Sequence, residues 1–160
     1  MPDLGRCCRW DNPSMILEMT TEEIDAFLSR QLVGRVGCHA DGLTYVVPVI
    51  YVWDAGSVHV YSVEGQKIRM MRENPNVCFE VDEYGTGGGW MSVIIQGAYE
   101  ELTGEHRART LQLLVARFAE RSAAGAGQRP RGEERVPVAF RILPAAITGR
   151  KVEPTNLSVV

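Results

Sequence analysis

Apolar residues along this chain change period more than once, and each change marks a new element. From Thr20 the period is helical: Thr20-Thr21-Glu22-Glu23 is a capping-box signature, and Ile24, Phe27, Leu28 and Leu32 continue one apolar stripe. From Val33 the period drops to two. Val33–Ala40 leads into Asp41-Gly42, a two-residue hairpin signal, and Leu43–Trp53 follows. Leu43, Tyr45, Val47, Val49, Tyr51 and Trp53 share one face, while Val46, Pro48, Ile50 and Val52 share the other. Both faces are apolar, which suits a barrel strand that is also covered on the outside. Pro48 has no N–H to give a ladder, so it marks a bulge or a position where pairing stops. Asp54-Ala55-Gly56 is the next turn, returning into Val58–Ser62.

Ser57–Asp82 reads as a strand, a tight basic turn, a short helix carrying Ile68, Met70 and Met71, an Asn74-Pro75 break and a second strand. Glu83–Gly89 is a flexible, glycine-rich connection; no Gly-Lys-Ser/Thr follows it, so it is not a Walker loop. Trp90–Leu102 is a long strand with Trp90, Ser92, Ile94 and Gln96 on one face, and Gly97 predicts a bend or a close backbone approach. Glu105–Arg121 predicts a helix with Ala108, Leu111, Leu114, Val115 and Phe118 along one side and solvated charges elsewhere. After a polar loop at 122–135, Val136–Leu143 and Ala146–Val152 form one bent strand or a strand pair broken at Pro144.

Six or seven mostly antiparallel strands with interspersed helices predict an α+β fold, mainly antiparallel β, in which helices close the ends of a β-barrel. The expected organisation is a tail over 1–14, one domain over 15–153 and a second tail over 154–160.

Composition narrows the function. The 160 residues carry a net charge of −3, with 45% apolar and 23% charged residues, which are globular values. That balance argues against nucleic-acid binding through bulk electrostatics. No apolar run approaches the ~18 residues of a membrane span, and the first residues have no secretory core, so a cytoplasmic protein is expected. Cys7, Cys8, Cys38 and Cys78 form no C-x-x-C pair, and His39, His59 and His106 match no zinc spacing; no metal site is expected. No acid/base constellation identifies catalytic residues. The turn after Ser62 brings a hydroxyl, free backbone N–H groups and Lys67 together, which would suit a phosphate. On local chemistry alone, an ordinary turn with a solvated lysine ranks ahead of that.

The company of this turn alters the balance. The opening helix TTEEIDAFLSRQLVGRVGC, the strand TYVVPVIYVWDAGSVHVYS, the turn EGQKIRMMRENPNVCFEVD, the strand WMSVIIQGAYEEL and the closing AFRILPAAITGRKVE together resemble the pyridoxamine 5′-phosphate oxidase-like, FMN-binding split-barrel superfamily, and within it the branch of nitroimidazole-resistance-type proteins. The resemblance runs from about Thr20 to Val152. It implies a six- to seven-stranded split barrel with flanking helices, and a homodimer holding FMN at the subunit interface. It further implies a flavin-dependent oxidoreductase acting on a small molecule. Carried over by position, Val47, Pro48 and Val49 run beside the isoalloxazine, and Tyr61 and Ser62 lie near ribityl and phosphate. Gln66 and Lys67 form the phosphate turn, while Trp90, Ser92 and Gln96 line the ring. The chain departs from the fuller oxidases at Gln66, where arginine is common, and at Gly65, which lacks a hydroxyl; Arg35, Arg69 and Arg72 are the cations that could compensate. Two alternatives stand beside this reading. One is a non-catalytic flavin or haem carrier or sensor, with His39, His59 or His106 as haem ligands; the other is a deazaflavin-dependent reductase.

Overall fold

A computed structural model describes residues 16–85, 88–121 and 136–154. The expected 1–14 tail with Cys7 and Cys8, the 122–135 loop and the end of the 154–160 tail lie outside the described residues. Ten elements follow in order: β1 (Leu17–Glu18), α1 (Thr21–Arg30), β2 (Val33–Ala40), β3 (Leu43–Asp54), β4 (Ser57–Val63), α2 (Gln66–Glu73), β5 (Asn76–Tyr84), β6 (Trp90–Leu102), α3 (Gly104–Arg121) and β7 (Pro137–Val152).

The strands form one antiparallel sheet in the order β1-β7-β4-β3-β2-β5-β6, and a further β6–β7 pairing closes it into a ring. This is the expected α+β split barrel. The hairpin turns are where the sequence placed them: Asp41 and Gly42 have φ of 50° and 74°, and Ala55 and Gly56 have 47° and 72°. Two successive left-handed residues match the right-handed twist of the flanking strands.

Inside the ring, Val36, Tyr51, Val58, Val60, Phe79, Val81, Val93, Ile95, Phe140 and Ile142 are almost fully buried. Tyr51 meets Phe79 edge-on, with ring centroids 5.0 Å apart, and its hydroxyl donates to the Leu28 carbonyl of α1 at 2.8 Å. Burial pushes the Tyr51 phenol far above its usual range, so it stays a neutral donor that fastens α1 to the barrel. The capping box on α1 is present: Glu23 N–H donates to Thr20 Oγ1 at 3.3 Å and Thr20 N–H to Glu23 Oε2 at 3.0 Å. Helix α1 ends at Arg30 and does not run on to Leu32, because the Leu32 carbonyl already accepts the Tyr51 N–H as β2 joins the sheet.

Gly97 does what its position predicted. The β6–β7 register shifts between Gln96 and Gly97, and a Cβ on Gly97 would lie 2.5 Å from the Leu143 carbonyl oxygen. Residues 137–152 form one continuous strand that bends at this point.

The apolar stripe of α3 behaves differently from its prediction. Thr110 and Leu114 are buried, whereas Leu111, Val115 and Phe118 remain exposed. Polar anchors set the roll of this helix: Thr110 Oγ1 pairs with His59 Nδ1 at 3.1 Å, Arg109 with Asp54 at 2.9 Å, and Arg117 Nη2 donates to the Gln31 carbonyl at 2.8 Å. Two-residue β1, which had no sequence signal, pairs Leu17 with Lys151 and Glu18 with Arg150.

Gly34→Ala tests the packing. Its Cβ would fall 2.2 Å from Cζ of Phe79, a ring with no exposed surface. Overpacking of this kind costs about 1–3 kcal/mol, and chemical denaturation should show a lower midpoint at an unchanged slope.

Candidate functional site

The barrel is split beside β3. β4 pairs with β3 only from Tyr51↔Val60 to Asp54↔Ser57, then diverges to follow β7 from Val58↔Ile142 to Val63↔Pro137. No strand among the described residues pairs with the other side of β3 over residues 43–50. Pro48 sits in this open stretch. The Tyr51 N–H points to β2, so backbone alternation turns the Pro48 nitrogen to the unpaired edge, where its missing donor costs nothing. The β2–β3 register runs through Arg35↔Pro48 without a bulge, which selects the second of the two roles expected of Pro48.

Helix α2 closes the mouth of the barrel next to this split. Ile68, Met70 and Met71 join the core, and Asn74, its C-cap, donates from Nδ2 to the His39 carbonyl of β2 at 2.9 Å. Arg72 holds the helix from outside through Glu101, at 2.7 and 2.9 Å, and Glu64 at 3.0 Å. The first turn has neither an acidic residue nor a side-chain cap, since Gly65 occupies the N-cap. Its N–H groups and the positive end of the helix dipole are left for another acceptor.

Lys67 lies in that first turn. It is half-buried, and burial depresses its ammonium below the ordinary lysine range. Among the described residues it has no carboxylate partner, and only the Cys38 thiol bears on its charge. Burial raises that thiol, so Cys38 supplies no countercharge at neutral pH. Ser62 shares the inner face of β4 with Val58 and Val60 and stands at the same mouth, in the last turn of chain before α2. A half-buried cation beside uncapped N–H groups fits a phosphate.

The other positions carried over by resemblance fall into three places. Val47 and Val49 point into the barrel with Tyr51, while Pro48 points out. Trp90, Ser92 and Gln96 occupy the outer face of β6, so Pro48, Ser92 and Gln96 look out from the same sheet across β2 and β5. Tyr61 stands apart from Ser62, on the outer face of β4 near α3, with the Arg107 guanidinium 6.0 Å from its ring centre. Gln66 borders a small cavity of about 320 Å³ with Arg69 and Met70. Of the compensating cations, Arg35 is spent on Glu80 at 2.9 Å and on Asp82, and Arg72 on Glu101 and Glu64.

The histidines are dispersed. His39 is exposed and bonds Thr44 at 3.0 Å; His59 is buried under α3 with Thr110; His106 is exposed on α3. No group of three His, Cys, Asp or Glu among the described residues could hold a metal. No helix among them is long and apolar enough to cross a membrane.

A closed antiparallel ring, opened along one strand edge and plugged by a short helix, defines the split-barrel class. The family follows from the sequence. The profile described as pyridoxamine 5′-phosphate oxidase matches residues 20–151, and the chain belongs to that family. An uncharacterized protein of Rhizobium meliloti is 33% identical over 84 residues, or 52% of this chain. The match spans only 56% of that relative's length. Among solved structures, an FAD-binding protein of Mesorhizobium loti superposes with a TM-score of 0.71 at 32% identity, covering 87% of this chain and 99% of its own. A Bacteroides thetaiotaomicron structure assigned to 5-nitroimidazole antibiotic resistance superposes with a TM-score of 0.67 over 85% of this chain and 87% of its own; at 18% identity that likeness is one of fold alone.

A half-buried ammonium without a counter-ion costs stability, so Lys67→Met should raise the unfolding midpoint in phosphate-free buffer. Inorganic phosphate should then raise the midpoint of the parent chain and leave that of the variant unmoved, because only a native-state ligand stabilises. His59 behaves through linkage. Burial lowers its imidazole, with Arg141 and Arg109 adding to the shift and Asp54 opposing it. The unfolded chain therefore takes up this proton first: stability is full above about pH 6.5 and falls as the pH drops below it. His59→Gln should flatten that limb of the stability–pH curve.

Proposed function

We propose that the chain forms a homodimer that binds FMN at the subunit interface and acts as a flavin-dependent oxidoreductase on a small molecule. The carrying observation is Lys67: a half-buried cation with no carboxylate partner among the described residues, beside an uncapped helix start, in a chain of this family. Its role is to hold the terminal phosphate, with Ser62 and the N–H groups of α2 as donors. Pro48, Trp90, Ser92 and Gln96 offer the ring a flat wall with a few hydrogen bonds. The flavin would supply the hydride or electron chemistry, so no side chain need act as general acid.

Support for the dimer comes from the outer face of the sheet. Val33, Val46, Ile50, Ile94 and Leu143 are large apolar residues that this face leaves exposed, from 38% to 58%. Both faces of β3 are apolar, and within one chain the outer one has no cover over residues 44–50. A second copy would bury it.

The phosphate anchor is common to FMN and FAD, and the Mesorhizobium loti relative is described as FAD-binding. Parallel titrations with FMN, FAD and riboflavin, followed by quenching of flavin fluorescence, tell them apart. FMN should bind, and Lys67→Ala should weaken it by the loss of a charge-assisted contact, about 1.5–3 kcal/mol. That is roughly ten- to a hundredfold in Kd, with the dimer unchanged by sedimentation. Unaltered FMN affinity in the variant would remove Lys67 from the site. Reduction of the bound flavin by NAD(P)H and its reoxidation by a small-molecule acceptor would establish turnover; bound flavin that no donor reduces would mark a carrier.

A further inference from the structure

Between α3 and the outer side of β4 and β7 lies a cavity of about 580 Å³, within the range of small-molecule sites. Its lining is polar where the barrel core is apolar. Ser57, His59 and Arg141 form the floor, and the strand register sets Arg141 between His59 of β4 and Glu100 of β6. Asp54 stands opposite Ser57 at the β3–β4 turn. The first turns of α3 cover the cavity with Glu105, His106 and Arg109.

Hydrogen-bonding capacity is left open at three places. Arg109 gives only Nη2, to Asp54 at 2.9 Å, and Arg141 gives only Nε, to Glu100 at 2.7 Å. The other N–H groups of both guanidiniums have no acceptor among the described residues. Oriented by a carboxylate on one edge, each guanidinium keeps donors for an oxyanion. Glu105 is the reverse case, an exposed carboxylate with no cation paired to it among the described residues. Ser57 is only 7% exposed, and its hydroxyl has no hydrogen-bond partner among the described residues. A buried hydroxyl costs free energy until a ligand or water meets it. His59 adds no charge: burial holds its imidazole below the ordinary range, and Thr110 fixes it at 3.1 Å.

We propose that this cavity binds a zwitterionic α-amino acid, with its carboxylate on Arg109, Arg141 and Ser57 and its ammonium on Glu105. Open guanidinium donors and an unpaired carboxylate call for both charges on one small ligand. A dianion such as phosphate is disfavoured, because Asp54, Glu100 and Glu105 surround the two arginines. A simple amine would leave the guanidinium donors and the Ser57 hydroxyl unmet. Ser57 and Ser62 stand at opposite ends of β4, about 17 Å apart by the rise of a strand. The cavity is therefore separate from the phosphate seat at Lys67, and binding there requires no flavin.

The test uses the full chain, with L-alanine and L-glutamine as probes in amide NMR and calorimetric titrations. At least one should bind and shift the amides of Ser57, His59 and Glu105. Its analogue without the ammonium (propionate or glutaramate) should bind at least tenfold more weakly. The analogue without the carboxylate (ethylamine or 4-aminobutanamide) should be weakened as much. Arg141→Gln should reduce affinity for the amino acid at least tenfold. Glu105→Gln, at the exposed start of α3, should bring the amino acid down to its ammonium-free analogue and leave that analogue no weaker. This variant gives a second reading if Arg141→Gln does not fold. Saturating FMN should leave binding unchanged. Failure of both probes to bind, equal binding of either analogue, or undiminished binding by the folded variants would overturn the proposal. So would displacement of the amino acid by FMN, which would give the cavity to the cofactor.

Discussion

Strand β7 is the constraint on which the rest of this fold depends. Over Ala139–Ile142 it is paired on both edges: Ala139 with Tyr61 and Leu102, Phe140 with Val60 and Glu101, Arg141 with His59 and Glu100, Ile142 with Val58 and Tyr99. This double pairing joins β4 to β6 and turns an open meander into a ring. Closure pairs the β4 and β6 edges that an open meander would otherwise present. It also demands that β6 and β7 curve together, and the bulge at Gly97, with its close approach to the Leu143 carbonyl, supplies that curvature.

The split follows from the same closure. β4 lies between β3 and β7 over Val58–Val60, but beyond Val60 it follows β7 alone to Val63 and leaves eight residues of β3 with one edge open. Helix α2 fills the mouth that results. Its buried Ile68, Met70 and Met71 stabilise the plug by apolar burial, and Arg72 ties its outer side to Glu101 and Glu64. Lys67 stands at the start of that plug without an ion-pair partner among the described residues. The geometry that makes a barrel of these strands thereby creates the place where an anion could be held.

Much of this was legible in the sequence, and for identifiable reasons. Asp41-Gly42 and Ala55-Gly56 are local signals because their left-handed backbones depend on the residues themselves. The Thr20–Glu23 capping box is local for the same reason, since both bonds span three residues. Gly97 was read as a bend or a close approach and is both. The roll of α3 was not legible. Its apolar stripe pointed to Leu111, Val115 and Phe118, but His59, Asp54 and the Gln31 carbonyl, all distant in sequence, bind Thr110, Arg109 and Arg117 and turn that stripe outward. Nor was the commitment of Arg35 and Arg72 to carboxylates on other strands, which only the strand register brings within reach.

The turn from Ser62 to Lys67 shows where the division falls. The sequence by itself determined that a strand would end there, that a short helix would begin, and that a hydroxyl and a lysine would sit between them, because period, glycine and charge are properties of a few adjacent residues. Only the tertiary structure decided that this lysine would be half-buried beside Cys38 with no countercharge from the described residues, at the mouth of a split barrel. Burial and pairing are set by which strands meet, and that is fixed by closure of the whole ring.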